Sequence, residues 1–308
     1  MNSSTKTKPI NRPKVSIGMP VFNGERFIRK ALDSLLSQTH ADFELIISDN
    51  ASTDSTAWIC EEYSKKDKRI RYIRQKKNMG IFWNVNFVLQ EAKYKYFMWA
   101  AADDIWDPHF IEKNLNVLES NENIVGSISE VQIIETMDNS KLNTNYPKSN
   151  NFVKYKYVHP ISGSYEEKVA FCLRFPQNTN AYALFRTDKL RKCTSHRSQT
   201  RWDHILSLNI LKYGDIHVID EVLMYRHAKG TSSMNSIIGR MLKLGISFPE
   251  IIFLWFPFTF WCAKHLGMKI FMKNIIWFIR LNYCGERAIL MESVRLCKRI
   301  ICRQEKFW

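Results

Sequence analysis

Two adjacent carboxylates, Asp103 and Asp104, close an apolar run that begins at Tyr96 and reads Tyr-Phe-Met-Trp-Ala-Ala-Ala-Asp-Asp-Ile-Trp. Ionised side by side, they repel, and a divalent cation relieves the repulsion. Hard oxygen donors suit Mg2+ or Mn2+. The alternative chemistry is helix capping, with Asp104 or Asp107 capping a helix that starts near Pro108. One Asp can cap while the other binds. To meet a ligand the pair must stand at the rim of a sheet. The run before it is short, aromatic-rich and bounded by polar residues, which is the pattern of a buried strand. In open α/β sheets the carboxyl edge is where ligands bind.

The elements that would position the pair follow from hydrophobic period. Val15 to Phe22 reads as a first strand, and Asn23-Gly24 as a turn that opens a helix over about Glu25 to Ser37. In that helix Phe27, Ile28, Ala31, Leu32, Leu35 and Leu36 recur at helical spacing. Phe43 to Ser48 is a second strand ending at Asp49. The small polar cluster Asn50 to Thr56 is a loop and cap before a helix through Tyr63. Arg69 to Arg74, a loop at Lys76 to Gly80, a helix over Phe82 to Ala92 and a strand over Tyr96 to Ala100 complete the alternation. Such alternation implies right-handed βαβ units around a parallel sheet with helices on both faces. Asp49 and Asp103 then fall at carboxyl ends of strands. A nucleotide is the default ligand of such a crevice. Neither GxGxxG nor GxxxxGK followed by Ser or Thr occurs, so no Gly-rich cradle holds it.

Further on, the pattern predicts a helix from Pro108 to about Ser120 and a strand over Ile124 to Ser129. Residues 136–163 read as a long mobile loop over the site. A helix over Tyr165 to Phe175, an extended segment over Ala181 to Phe185 and a helix from near Arg186 come next. A helix over Asp203 to Tyr213 and short strands over Ile216 to Ile219 and Val222 to Tyr225 follow.

The 308 residues suffice for one large domain or two ordinary ones, and 45% hydrophobic with 24% charged residues is ordinary for a globular chain. The net charge of +15 is not, and it favours polyanionic partners: nucleic acid, acidic lipid or phosphorylated ligands. Seven scattered cysteines without a CxxC pair argue against a disulfide framework and a structural zinc site. Met1 to Lys14 is polar and basic without an apolar core, which predicts a disordered arm, no secretory leader and a cytoplasmic protein.

The chain resembles the GT-A glycosyltransferases of the large inverting family 2. The matching pieces are Pro20-Val21-Phe22-Asn23-Gly24, the stretch Ser48 to Thr56, Asn78-Met79-Gly80 with Asn84 and Asn86, and Asp103-Asp104-Ile105-Trp106. They occur in family order and spacing over roughly residues 14–230. The resemblance implies an α/β, Rossmann-like sheet, parallel or mixed, with flanking helices. Its nucleotide-sugar half would be 14–105, within a domain over 14–235 whose acceptor half is 106–235. Residues 1–13 would be an arm and 236–308 a helical extension. It implies a nucleotide pocket from Pro20, Val21, Phe22, Asn23, Asn78, Gly80, Ala102 and Asp103, with Asp49 accepting hydrogen bonds from base or ribose. It also implies a cation, Mn2+ or Mg2+, on Asp103 and Asp104, bridging the diphosphate of a donor that is expected to be a UDP-sugar.

Two departures matter. The family's first acidic position is Ala101, and the Glu-Asp pair that opens the late helix reads Trp202-Asp203. Asp203 remains as the expected general base for an acceptor hydroxyl, with helix capping as its other role. The run Tyr225 to Ser233 resembles a segment that closes over the diphosphate, which makes His227 a third candidate metal ligand. A solvated basic loop is the plainer reading.

Residues 236–308 hold twelve Lys and Arg against four Glu. Residues 246–263 are very apolar, but Pro249, Glu250 and Pro257 leave an uninterrupted run shorter than the ~20 residues of a spanning helix. Beyond it, Lys264, Lys269, Lys273, Arg280 and Arg287 alternate with Met, Ile, Phe and Trp, a mixture suited to helices lying on an anionic inner leaflet through 246–303. The alternative is packing on the core or on a second subunit. Such a site would fit a saccharide or lipid-linked saccharide acceptor in cell-surface polysaccharide synthesis. Basic residues beside long apolar runs suit lipid better than phosphate backbone, so nucleic acid is not the expected partner. A transferase fold that binds nucleotide sugar without turnover is the remaining reading, motivated by Ala101 and Trp202.

Overall fold

The computed structural model describes residues 14–134, 158–176, 179–194, 201–227 and 255–304. The arm at 1–13 and most of the expected loop at 136–163 lie outside them. The first half follows the expected alternation: β1 Val15–Val21, α1 Ile28–Leu36, β2 Phe43–Asp49, α2 Thr56–Lys66, β3 Ile70–Arg74, α3 Ile81–Gln90 and β4 Tyr96–Trp99. Strands β1, β2 and β4 are buried along nearly their whole length, as central parallel strands must be when helices cover both faces. Then come β5 Ile105–Trp106, α4 Phe110–Ser120, β6 Ile124–Ile134, α5 Tyr165–Arg174 and a single 3₁₀ turn at Thr179–Tyr182. The domain ends with β7 Leu184–Arg186, α6 Thr187–Arg191, α7 Trp202–Ile210 and β8 Asp215–His227.

These strands form one eight-stranded sheet in the order β3-β2-β1-β4-β7-β6-β8-β5. The β3-β2-β1-β4 half is parallel, while β7 is antiparallel to both β4 and β6 and β5 is antiparallel to β8. The sheet is therefore mixed. The two short strands expected at 216–225 are one strand, β8, parallel to β6 with register shifts at Ser129 to Val131. The exposed pair Asp220-Glu221 sits at that irregularity, which is why the pattern reads as a break. Strand β5, two residues long, is too short for any periodicity to announce. Helix α4 begins at Phe110 after a turn that Asp107 caps, its Oδ1 accepting the His109 N–H at 2.9 Å and facing His109 Nδ1 at 3.1 Å with Pro108 between, while Asp104 turns elsewhere.

The C-terminal region is helical: α8 Phe256–His265, α9 Met268–Lys273 and α10 Ile275–Gln304. A second core joins it to the domain, with Trp255, Phe258, Cys262, Phe278 and Leu281 packing on Val169 and Leu173 of α5 and Ile205 and Leu208 of α7. Among the described residues no helix is long and apolar enough to cross a membrane.

Packing at the sheet centre is tight where it must be. A Cβ on Gly18 of β1 would lie 2.7 Å from both the Phe97 ring of β4 and a Val88 methyl of α3. Gly18→Ala overpacks that face and should destabilise the fold by about 1–3 kcal/mol, read as a lower urea midpoint at unchanged slope. An unchanged midpoint would show that α3 can shift without cost.

Candidate functional site

The crevice is built at the carboxyl ends of β1, β2 and β4. Asn23 adopts a left-handed φ of 52°, and so does Ala51 at 61°. The two loops are sewn together there. Ser52 Oγ accepts the Asn23 N–H at 2.9 Å, Thr56 Oγ1 accepts the Gly24 N–H at 2.8 Å, and Asn23 Oδ1 accepts the Thr53 N–H at 2.9 Å. Across the same gap Asp54 Oδ2 accepts the Glu25 N–H and Glu25 Oε2 accepts the Ser55 N–H. The third loop is held by Asn50, whose side chain donates to Asn78 Oδ1 at 2.9 Å and to the Gly80 carbonyl at 3.2 Å and accepts the Met79 N–H at 2.8 Å. Gly80 has φ +84° and nothing within 4 Å of a would-be Cβ, so glycine is required there for the backbone and not for space. Asn84 anchors α3 by donating to the Ser48 carbonyl and accepting from the Ser48 hydroxyl. Pro20, Val21, Phe22, Asn23, Asn78 and Gly80 thus line one tied rim.

Asp49 lies beneath that rim, fully buried. One carboxylate oxygen accepts the Ser52 N–H at 2.8 Å, the other the Tyr72 hydroxyl at 3.0 Å, with Arg74 Nε 3.8 Å away. In this arrangement the carboxylate is buried and fixes the loop through these bonds. Burial, then the charge of Asp49, pushes the Tyr72 hydroxyl far up. Asn50 and the half-exposed Arg74, which also donates to the Ser52 carbonyl, are site residues that sequence pattern did not single out. The polar run 50–56 was the signal available for Asn50; nothing marked Arg74 among its basic neighbours.

Asp103 and Asp104 are buried at the end of β4 beside buried Ala102. Asp104 Oδ1 accepts the His227 N–H at 3.2 Å, and Arg226 Nε lies 3.6 Å from Oδ2. Burial pushes the Asp104 carboxyl up to about 7; Arg226 opposes this and Asp103 adds to it. Arg226 stacks over the Tyr182 ring at 4.7 Å. Burial raises the Tyr182 hydroxyl to about 12, with the charges of Asp104, Asp103 and Asp203 all contributing. The pair at β4 and Asp203 on α7 therefore share one electrostatic neighbourhood. Trp99 and Trp202, edge to face at 5.9 Å, join the end of β4 to the start of α7.

Asp203 stands in the first turn of α7 and caps nothing remote. Its Oδ1 accepts the His204 N–H at 3.0 Å and faces His204 Nδ1 at 2.9 Å. Burial raises its pKa, but His204 and then Arg201 overcome that, and the net pKa lies below the ordinary carboxylate value. Arg201, just before the helix, holds φ 64°, a left-handed conformation that a non-glycine residue adopts at a cost of order 1 kcal/mol. Its guanidinium lies 4.0 Å over Trp255, which also meets the His204 ring edge to face at 5.0 Å. The extension thus closes on both neighbours of Asp203.

The donors at β4 fit a hard divalent cation. They are carboxylates, and Asp104 Oδ2 is a buried acceptor without a hydrogen bond. Among the described residues no three His, Cys, Asp or Glu side chains converge, so protein ligands alone do not complete a shell. Magnesium-type sites commonly take one or two carboxylates and complete their shell from substrate phosphates. His227 meets the pair through its main chain, while its imidazole lies against the Phe27 ring with centroids 4.7 Å apart.

The model of the family described as "Glycosyl transferase family 2" matches residues 16–193, more than half of the chain. An uncharacterized glycosyltransferase of Haemophilus influenzae is 39% identical over 124 residues, 40% of this chain and 38% of that protein. Glycosyltransferase GlyA of Streptococcus pneumoniae is 30% identical over 156 residues, 51% of this chain and 20% of that protein. The matched stretch thus spans well under half the length of these relatives. Among solved structures, S. aureus TarS 1-349 in complex with UDP-GlcNAc superposes with a TM-score of 0.56 at 16% identity, covering 87% of this chain and 81% of that one. The mannosyltransferase PcManGT from Pyrobaculum calidifontis, in complex with GDP-Man and Mn2+, gives 0.56 at 12%, covering 95% and 76%. The fold is of the GT-A kind that the motifs imply.

Removing Arg226 leaves the buried Asp104 without its cation. Breaking a buried pair of ionised groups costs about 3 kcal/mol, so Arg226→Ala should lower the urea midpoint at pH well above 7, where Asp104 is ionised, and less below 7, where it is protonated. Unchanged stability would mean that water or a neighbour already compensates Asp104.

Proposed function

The chain belongs to glycosyl transferase family 2, and from that premise we propose that it transfers a sugar, with inversion, from a nucleotide sugar to an acceptor hydroxyl. The observation that carries this reading is the buried pair Asp103 and Asp104 beyond the end of β4, with Arg226 and the His227 N–H of β8 against Asp104, in a sheet whose β1 and β2 loops are tied at the same carboxyl edge. The donor is proposed to be a UDP-sugar and the acceptor a saccharide or lipid-linked saccharide in cell-surface polysaccharide assembly, the enzyme working on the cytoplasmic side of a membrane. Support for a nucleotide-sugar donor comes from the UDP-GlcNAc and GDP-Man complexes of the structural neighbours.

The rim from Pro20 to Asn23, with Asn78 and Gly80 opposite, holds base and ribose. Its hydrogen bonds are made before the ligand arrives, so little ordering remains to be done on binding. Asp103, with Asp104 and His227 as further candidates, would hold Mn2+ or Mg2+, which as a Lewis acid neutralises charge on the departing diphosphate. Arg226 opposes the cost of burying Asp104, whose carboxyl still stands near 7. Asp203 accepts the proton of the acceptor hydroxyl at Oδ2, because Oδ1 is engaged by His204.

A depressed pKa means that Asp203 is ionised through the neutral range. Its contribution to stability is present above the unfolded value and is lost as pH falls through the folded one. The part of the acid limb of kcat/KM that Asp203 sets should therefore lie below the ordinary carboxylate range, apart from any limb that Asp104 sets near 7. His204→Gln removes the main lowering influence and leaves burial, so the limb should move to higher pH while the alkaline side stays put. A limb that does not move would remove His204 from the site.

Asp203→Asn should keep donor affinity nearly intact and lower turnover by roughly 10²–10⁴-fold. Calorimetric titration with UDP and with GDP, each with and without Mn2+, tests the donor half: metal-dependent binding that Asp103→Asn abolishes is expected. Affinity unchanged in that variant would sink the metal assignment, and binding without turnover of any donor would favour a silent nucleotide-sugar-binding fold, the reading that Ala101 keeps open.

A further inference from the structure

Helix α10 is apolar on two opposite faces. Its inner stripe, Phe278, Leu281, Gly285 and Ile289, is buried at the spacing of one helix face, with Phe278 and Leu281 in the second core. At the same period Ile276, Ile279, Tyr283 and Leu290 point the other way and are 62%, 58%, 62% and 65% exposed. An amphipathic surface helix shows water a polar face; this one shows aliphatic groups over about 14 residues, or ~21 Å at 1.5 Å per residue. Arg280 and Arg287, seven residues apart and both exposed, run beside that stripe, with one exposed carboxylate, Glu286, among them. Helix α9 adds exposed Met268 and Met272 with Lys269 and Lys273, the two lysines sharing Glu166.

We propose that the outer face of α9 and α10 lies in the headgroup layer of an anionic membrane, with the stripe inserted and the arginines on lipid phosphates. Charge selects this occupant. The last 73 residues carry twelve Lys and Arg against four Glu, and each basic group near an anionic leaflet contributes of order 1 kcal/mol. A second copy docked through this face would bring Lys269, Lys273, Arg280 and Arg287 near their like on the partner, which disfavours a dimer. A phosphate backbone would have no use for the aliphatic stripe. The helices lie on the surface and do not span it, since none described is long and apolar enough to cross. The inference does not depend on the glycosyl-transfer reading, and its readout involves no donor.

The test is sedimentation of the full chain with vesicles of pure phosphatidylcholine and of phosphatidylcholine with about a third phosphatidylglycerol. Binding to the anionic vesicles alone is expected. Arg280→Gln with Arg287→Gln should weaken it by tenfold or more, consistent with of order 1 kcal/mol per basic group. Ile279→Ser with Leu290→Ser, both exposed and so tolerated by the fold, should abolish the part that survives high salt. Circular dichroism and light scattering accompany every variant. A chain that stays in the supernatant with both vesicles overturns the proposal. So does a dimer that Ile279→Ser with Leu290→Ser disperses, or equal binding to neutral vesicles.

Discussion

The buried pair Asp49-Asn50 at the end of β2 is the constraint on which the crevice depends. A strand that ends inside the protein leaves loops whose main-chain groups need partners. Asp49 supplies one, to the Ser52 N–H, and Asn50 two, to the Met79 N–H and the Gly80 carbonyl, while their bonds with the Tyr72 hydroxyl and Asn78 Oδ1 hold them in place. The loop after β1 is then bonded onto the loop after β2 through Ser52, Thr53 and Thr56. Three connections that sequence separates by about 30 residues become one rigid rim. None of these groups need contact a ligand to decide where a ligand lies.

A contrasting economy rules the other wall. On that side Arg226 faces the buried Asp104, and His204 faces Asp203. Asp104, held up near 7, is a carboxylate whose ionisation the fold opposes. Because its folded pKa exceeds the unfolded one, this group takes stability away as pH rises from about 4 through 7. Charge of that kind concentrates where ligands carry the opposite sign. Asp203 is the opposite case, a buried carboxylate kept ionised by an adjacent imidazole and guanidinium. One site thus holds carboxylates tuned in both directions.

The parallel half of the fold was legible because its strands are continuous apolar runs and its helices keep period 3.6. Asp103 and Asp104 were legible because a charge pair ending such a run has few other uses. What stayed hidden was relational. Asp49 reads like a ligand contact, and its burial and its bond from the Tyr72 hydroxyl carry no local signal. Strand β8 reads as two strands because a bulge places Asp220-Glu221 in the open. Trp255 carries no local signal of its contacts with Arg201 and His204, which pair residues more than fifty positions apart. Periodicity reports the face a residue occupies, and it is silent about what stands opposite.

The order of the sheet has a colloidal consequence. An open sheet has two rims where another chain can add a strand, and a long, flat, apolar rim invites aggregation. Here one rim is β5, two residues long and both buried. The other is β3, five residues long, carrying Arg71 and Arg74 and packed against α2. A second copy approaching β3 edge to edge would bring arginine to arginine, in a chain already at +15. The most apolar strands, β1, β2 and β4, are kept from the margins by their place in the order. A protein that keeps greasy helices outward can remain dispersed because its sheet gives a neighbour nothing to extend.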